Sequence, residues 1–361
     1  MKPHPSACWA RSRPRPACPP STPIATVPAA SSTLLPELTL REESFPIAVP
    51  FTISRGSKTT ADVLVVTIQD GTVSGRGECV PYGRYGETLA SVRAQIDSVA
   101  GRIGEGASQT DLLRLLPAGA ARNAVDCALW DFRAKRQRTS VHELAGYPTP
   151  GPVVTAYTLS LDTPAAMAEA ARRHATRPLL KLKLAGDDED VARVAAVRSG
   201  APQSRLIVDA NEGGSAATLQ EMVSRLADLD VSLIEQPLPV DDDAVLADMD
   251  HAVPFCADES CHTAADIERL RNRYDAVNIK LDKAGGLTEA LLLRELAHDA
   301  GLQVMVGCMV ATSLAMAPAL LVAQGVDFVD LDGPLLLARD RVPGLRFEDS
   351  LIHPPSAALW G

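Results

Sequence analysis

The sequence predicts an α/β protein: a TIM-like (β/α) barrel with a smaller α+β domain in front of it. Three observations carry this. From about residue 151 to residue 334, apolar strand patterns alternate with helical ones, eight strands in all. A charged residue recurs where these strands end. Between residues 37 and 150 strand patterns come first and helical patterns afterwards, the order of a separate α+β unit.

Residues 1–36 are rich in Pro, Ala, Ser and Arg and hold no acidic residue or apolar core of a secretory signal. They are expected to be a disordered extension or an over-extended start, and they receive no function. Leu38-Thr39-Leu40 opens an alternating strand, followed by Phe51–Ser54, Asp62–Ile68 and, after the hairpin signal Asp70-Gly71, Val73–Cys79. Two loops stand out, Arg55–Thr60 and Pro81–Gly86, the second dense in glycine, tyrosine and arginine. Loops of this kind form lids and specificity elements. Helical spacing follows over Thr88–Arg102 and Ala118–Arg138. Gly146 and the run Pro148-Thr149-Pro150-Gly151-Pro152 mark the domain boundary.

The barrel strands are expected at Thr155–Leu161, Leu179–Leu184, Leu206–Ala210, Leu233–Glu235, Phe255–Asp258, Val277–Leu281, Val304–Cys308 and Phe328–Leu331. Helical stretches such as Pro164–Ala175 and Leu287–Ala300 lie between them. The chain of 361 residues, 46% of them apolar, can bury a core of this size. A net charge of -10 argues against a nucleic-acid or anionic-membrane partner. No apolar run is long enough to span a bilayer. The seven cysteines lack CxxC spacing and read as reduced thiols of a cytoplasmic protein.

Lys183, Asp209, Glu235, Asp258 and Lys283 follow one another at intervals of 23 to 26 residues, and Asp330 comes 47 residues later. Each short interval is about one βα unit, so all six side chains are expected at one level, the C-terminal face where barrel enzymes keep their chemistry. Asp209, Glu235 and Asp258 lie on adjacent strands. Three converging carboxylates repel, and a hard divalent metal such as Mg²⁺ resolves the repulsion. Lys183 and Lys283 lie on opposite sides of the mouth with the triad between them. A substrate carboxylate held at the metal would have its α-carbon between two amines, which predicts a 1,1-proton transfer through an enediolate. Lys181, two residues before Lys183 on the same strand face, is expected to help hold that carboxylate, and the two crowded ammonium groups to depress each other's pKa. Lys280 is expected on the opposite strand face as a structural lysine. Asp330 and Asp332 share a face on the last strand and suit a substrate amine.

The stretches Leu180-Lys181-Leu182-Lys183, Val208–Glu212, Ile234-Glu235-Gln236-Pro237, Ala257–Ser260 and Asn278–Gly286 resemble the muconate-lactonising subgroup of the enolase superfamily. The superfamily's use of a Lys or His base with Mg²⁺ is itself a standard example of site chemistry. Asp330-Leu331-Asp332 narrows the resemblance to dipeptide epimerases. It implies an α+β cap (37–150, completed by 335–361) over a (β/α)7β barrel (151–334). It also implies one Mg²⁺ on Asp209, Glu235 and Asp258, with acid/base lysines at 183 and 283 and Lys181 as the first KxK lysine. Asp330 and Asp332 would hold a dipeptide's amino terminus. The implied reaction is epimerisation of L-Ala-D/L-Glu, in cytoplasmic murein peptide recycling. Arg55 and Arg84 are further candidates for the glutamate side-chain carboxylate, and Thr158 for substrate binding. The oligomeric state stays open.

One departure is visible. Many relatives carry a glutamate at the end of strand 7, where this chain has Ala311. The alternatives are an epimerase of another dipeptide, or cycloisomerisation, o-succinylbenzoate synthesis or N-acylamino acid racemisation on the same scaffold. A non-catalytic barrel stands further off, because all five metal and base positions are intact, and so does a Schiff-base aldolase, which would not need three phased carboxylates.

Overall fold

The first strands form an antiparallel meander in the order β1 (Glu37–Ile53), β2 (Gly56–Asp70) and β3 (Val73–Cys79). The structure, a computed structural model, describes residues 36–361, so the expected N-terminal tail lies, up to residue 35, outside the described residues. Period-two alternation explains why β2 is buried on both faces. Leu64, Val66 and Ile68 enter the core of this sheet, and Val63 and Val65 enter the core of the barrel. Phe51–Ser54 is not a separate strand. It continues β1 across an irregular register between Pro46 and Phe51, where Pro46 and Pro50 supply no N–H to the ladder. The expected loop Arg55–Thr60 is mostly strand, since β2 starts at Gly56 and only a tight turn is left.

Helices α1 (Leu89–Gly104), α2 (Gln109–Leu115) and α3 (Ala120–Gln137) cover the sheet. Thr88 and Ser108 cap α1 and α2 through reciprocal side-chain and backbone bonds. β3 lies backbone-to-backbone on α3. A Cβ on Gly75 would stand 2.1 Å from Phe132 N, and one on Gly77 would stand 2.1 Å from Ala124 O.

The barrel follows β4 (Val153–Val154) and comprises β5 (Tyr157–Leu159), β6 (Leu179–Lys183), β7 (Arg205–Asp209) and β8 (Val231–Glu235). It continues with β9 (Phe255–Ala257), β10 (Ala276–Ile279), β11 (Gln303–Gly307) and β12 (Phe328–Asp330). All eight pair in sequence order and all are parallel. Ala156 N donates to Val329 O at 2.8 Å and joins the two edges of the sheet. Inside, one side chain from each strand or its flank makes a separate apolar layer: Ala156, Leu179, Ile207, Leu233, Cys256, Ala276, Met305 and Phe328. This plug closes the barrel beneath the site. Residues of opposite parity, such as Leu180, Leu182, Val208 and Ile234, pack outward against the helices.

The crossovers after β8 and β9 replace full helices by short turns at Asp243–Asp248 and Ala264–Leu270. No crossover follows β12. The chain returns instead through β13 (Phe347–Glu348) and β14 (Leu351–Ile352), and β14 pairs with β4. Its last residues dock on α3, where Trp360 Nε1 donates to Cys127 O at 3.0 Å and Gly361 N to Asp131 Oδ1 at 2.7 Å. Among the described residues, Cys79, Cys127, Cys256 and Cys261 are buried free thiols, and Cys308 is free and partly buried. No described helix is long and apolar enough to cross a membrane.

Gly77→Ala is expected to destabilise the protein by about 3 kcal/mol, because the methyl meets backbone that cannot move aside. A fall in the urea midpoint without a change in slope measures it.

Candidate active site

Register places the chemistry. Lys183, Asp209 and Glu235 are directly paired neighbours on β6, β7 and β8, and Asp258 stands one residue beyond β9. They share the inward parity of the apolar plug, which lies two residues below Asp209, Glu235 and Asp258 and four below Lys183, so they form a layer above it. Asp209, Glu235 and Asp258 are fully buried, and one oxygen of each lies within 4.8 Å of those of the other two.

Four lysines surround this triad. Lys181 Nζ lies 2.7 Å from Asp330 Oδ2, 2.6 Å from Glu235 Oε2 and 3.3 Å from Asp209 Oδ2. Lys183 Nζ donates to Asp209 Oδ2 at 2.6 Å, and Lys283 Nζ to Asp258 Oδ1 at 2.6 Å. Lys280 Nζ donates to Asp258 Oδ2 at 2.6 Å. Burial alone would raise Asp209, but Lys183 and Lys181 beside it bring its pKa down to about 2. Burial and the charge of Asp209 push Glu235 up to about 7. Burial opposes the charge of Lys181, yet Asp330, Glu235 and Asp209 hold its pKa well above the usual lysine value.

Two expectations are corrected here. Lys280 points inward, not outward, because β10 ends at Ile279 and Lys283 sits on a short helix, Leu281–Ala284, so strand parity cannot be counted back from it. Counted from Asn278, whose Nδ2 donates to Glu235 Oε1 at 2.7 Å, Lys280 falls on the inner face. Lys181 is not a lysine depressed by its neighbour, because the carboxylates around it outweigh the repulsion of a second ammonium.

Above this layer lies a cavity of about 660 Å³ between the barrel mouth and the first domain. Lys181, Lys183, Lys280 and Asp258 line its floor; Thr158, Asp330 and Asp332 line one wall; Arg55, Tyr82, Arg84 and Tyr85 line its roof. Asp209, Glu235 and Lys283 lie beneath its surface. Thr158 N donates to Asp332 Oδ2 at 2.6 Å. Burial and the charge of Asp330 push Asp332 up to about 7. Arg84 is bound by both oxygens of Glu212, each at 2.7 Å. Arg55 donates to Asn211 O at 2.9 Å and to Glu259 Oε1 at 2.8 Å.

Several site residues went unassigned from sequence although they lie in the quoted motifs. Gln236 Oε1 accepts from Asp258 N at 2.9 Å and from Ser260 N at 3.0 Å, which fixes the loop that carries Asp258. Asn211, Glu212 and Gln236 have positive φ (45°, 68° and 36°), each within three residues of a triad carboxylate. Backbone strain of this kind collects at functional sites. Ala311 is fully buried, and the backbone at Ala311 and Met309 would meet a Cβ on Gly333 at 3.1 Å, so this turn is packed tight.

The donor set fits a hard divalent cation. It offers three buried carboxylates from adjacent strands, and Glu235 Oε2 has an ion-pair neighbour but no aligned hydrogen-bond donor. Four ammonium groups now provide the counter-charge that such an ion would supply.

Residues 165–358 match the enolase C-terminal domain-like family, and residues 36–146 match the mandelate racemase / muconate lactonizing enzyme N-terminal domain. The chain belongs to this family. Within it, the L-Ala-D/L-Glu epimerase of Escherichia coli (strain K12) is 48% identical over 315 residues, 86% of this chain and 98% of that protein. The N-acetyl-D-glutamate racemase of a Pseudoalteromonas species is 45% identical over 302 residues, 83% of this chain and 95% of that protein. A solved enolase family member from Agrobacterium tumefaciens, described by its homology to dipeptide epimerases and holding sodium and L-Ala-L-Glu, is 52% identical. It superposes with a TM-score of 0.88 over 90% of this chain and 100% of that one.

Mg²⁺ at about a hundred times its dissociation constant is expected to stabilise the fold by about 2.7 kcal/mol, seen as a higher melting temperature. Glu235→Ala removes one donor and should abolish the rise. An equal rise in that variant would place the ion elsewhere.

Proposed function

We propose that the protein is a dipeptide epimerase, an isomerase that inverts the glutamate α-carbon of L-Ala-D/L-Glu with one Mg²⁺. The observation that carries this reading is the carboxylate pair Asp330 and Asp332 on the wall of the same cavity whose floor bears Lys181 and Lys183. Lysines and an acidic triad would also suit cycloisomerisation, o-succinylbenzoate synthesis and N-acylamino acid racemisation. A pair of acceptors beside them suits a substrate with a free ammonium.

Asp209, Glu235 and Asp258 would hold the metal, which when bound supplies positive charge where a substrate carboxylate takes up the electrons of the broken C–H bond. The remaining chemistry belongs to the chain. β6 and β10 are four strands apart in the eight-strand sheet, so Lys183 and the lysine following β10 approach from opposite sides. One Nζ takes the α-proton, and the other ammonium returns a proton to the opposite face. The roles reverse for the other epimer, which a racemising site requires. Lys181, hydrogen-bonded to Asp330, joins the base side of the site to the amine side. Asp332 and Asp330 receive the amino terminus, and Thr158 orients Asp332. Arg55 and Arg84 are the candidates for the glutamate side-chain carboxylate, and each would exchange a present partner for it, Glu259 for Arg55 and Glu212 for Arg84.

The similarity to an N-acetyl-D-glutamate racemase favours a second reading, with an acylated amino acid as substrate. The charged wall speaks against it, because an acyl amide brings no positive charge to two carboxylates.

Proton NMR of L-Ala-L-Glu in D₂O with Mg²⁺ tests the proposal. The glutamate α-proton signal should vanish as L-Ala-D-Glu appears, and persistence of that signal overturns the assignment. Lys283→Ala should lower the rate roughly a hundred- to ten-thousandfold, the usual worth of a general acid or base. Asp332→Asn should raise KM for L-Ala-L-Glu roughly tenfold or more, the scale of a lost hydrogen bond to a charged group. Inhibition by N-acetyl-L-glutamate should stay unchanged in that variant. Equal weakening of both compounds would remove Asp332 from amine recognition.

A further inference from the structure

Lys283 is the one base that no barrel strand carries. It sits on the four-residue helix Leu281–Ala284, which is too short to hold its own position. Its ammonium is held within the barrel by Asp258 Oδ1 and Asn278 O, but what braces the turn that carries it comes from the other domain. Asp282, the neighbour of Lys283, accepts at Oδ1 from Asn123 Nδ2 at 2.8 Å and from Val80 N at 3.1 Å. Arg122 donates from Nη2 to Ala284 O at 2.6 Å and from Nε to Gly285 O at 3.1 Å, so it closes the end of the same helix. Asp126 accepts from Thr288 N at 2.9 Å and Thr288 Oγ1 at 2.6 Å, which fixes the start of the next helix.

Arg122, Asn123 and Asp126 all lie on one face of α3, and all are buried, as is Asp282. The fit leaves no slack. A Cβ on Gly285 would stand 2.4 Å from Arg122 Nε, and one on Gly286 would stand 2.5 Å from Asp126 Oδ2. Both glycines have positive φ, 80° and 113°. The glycine pair after Lys283 therefore answers two demands at once, a left-handed turn and the close approach of α3. Lys183 has no such dependence. It stands on β6, paired on both sides within the barrel.

We infer that the N-terminal domain positions one of the two bases: the Asn123–Asp282 hydrogen bond and the Arg122 fork hold Lys283 in register, so Asp282, Asn123 and Arg122 are positioning residues for proton transfer at one face of the α-carbon. The inference rests on the two-base reading above. A misplacement of about 1 Å by a residue away from the chemistry can cost roughly a hundredfold, and here the cost falls on one face alone.

Deuterium exchange reads each face separately. L-Ala-L-Glu and L-Ala-D-Glu are incubated separately in D₂O with Mg²⁺, and washing of deuterium into each unreacted epimer is followed. In Asp282→Ala, which loses the acceptor, epimerisation is expected to fall at least about tenfold in both directions. The epimer whose α-hydrogen faces Lys183 should still exchange it without inverting. The other epimer should lose exchange by the same factor as epimerisation. Asn123→Ala, altered on the other side of the contact, should show the same asymmetry. Asp282→Asn keeps the Oδ1 acceptor and should restore exchange at both faces. Mg²⁺ affinity by calorimetry should match the wild type in all three, which a general loosening of the barrel mouth would not allow. Equal loss at both faces, or no loss in either alanine variant, overturns the inference. Exchange at both faces in Lys283→Ala would overturn the two-base reading itself, and the positioning role with it.

Discussion

Three carboxylates buried on neighbouring strands must be compensated, and the upper half of this molecule is arranged around that demand. Asp209, Glu235 and Asp258 lie out of water with oxygens within 4.8 Å of one another. Leaving such charges uncompensated would cost several kcal/mol per ion. Lys181, Lys183, Lys280 and Lys283 meet them at 2.6 Å. Each of these lysines is thus part of a charge cluster, and the same oxygens that draw the ammonium groups in are those suited to a hard cation.

Rigidity beneath and closure above make the cluster usable. The eight-residue apolar plug closes the barrel below, and the strand register carries Lys183, Asp209 and Glu235 to one height above it. The positive-φ residues after Asp209 and Glu235 turn the backbone sharply away from the barrel. From the other domain, Arg55 reaches Asn211 and Glu259, and Arg84 grips Glu212. The two domains thus meet through charged contacts at the roof of the cavity and through neutral and charged hydrogen bonds beside Lys283. On the proposed reading, the first set shapes what enters and the second holds one of the two bases.

The spacing of Lys183, Asp209, Glu235 and Asp258 was legible because a βα unit has a nearly constant length and one side chain per unit keeps its phase. Asp330 and Asp332 were legible as a pair because they stand two residues apart, although the last strand ends at Asp330 and Asp332 belongs to the turn that follows, not to the strand face expected of it. Lys280 was misassigned because parity holds only within a strand, and the strand had already ended. The depression expected at Lys181 failed because a pairwise rule omits the carboxylates that arrive from β7, β8 and β12. Arg55 and Arg84 were visible as charges in loops, but their partners Glu259 and Glu212 could not be chosen from sequence.

Periodicity and spacing by themselves determined the barrel, its strand order, the height of the triad and the two sides from which the lysines come, because each follows from distances along one chain. The tertiary structure decided which face Lys280 takes, which charges neutralise which, and that a helix of the N-terminal domain braces the turn carrying Lys283. Those depend on segments more than a hundred residues apart meeting within hydrogen-bond distance, and no local pattern records such a meeting.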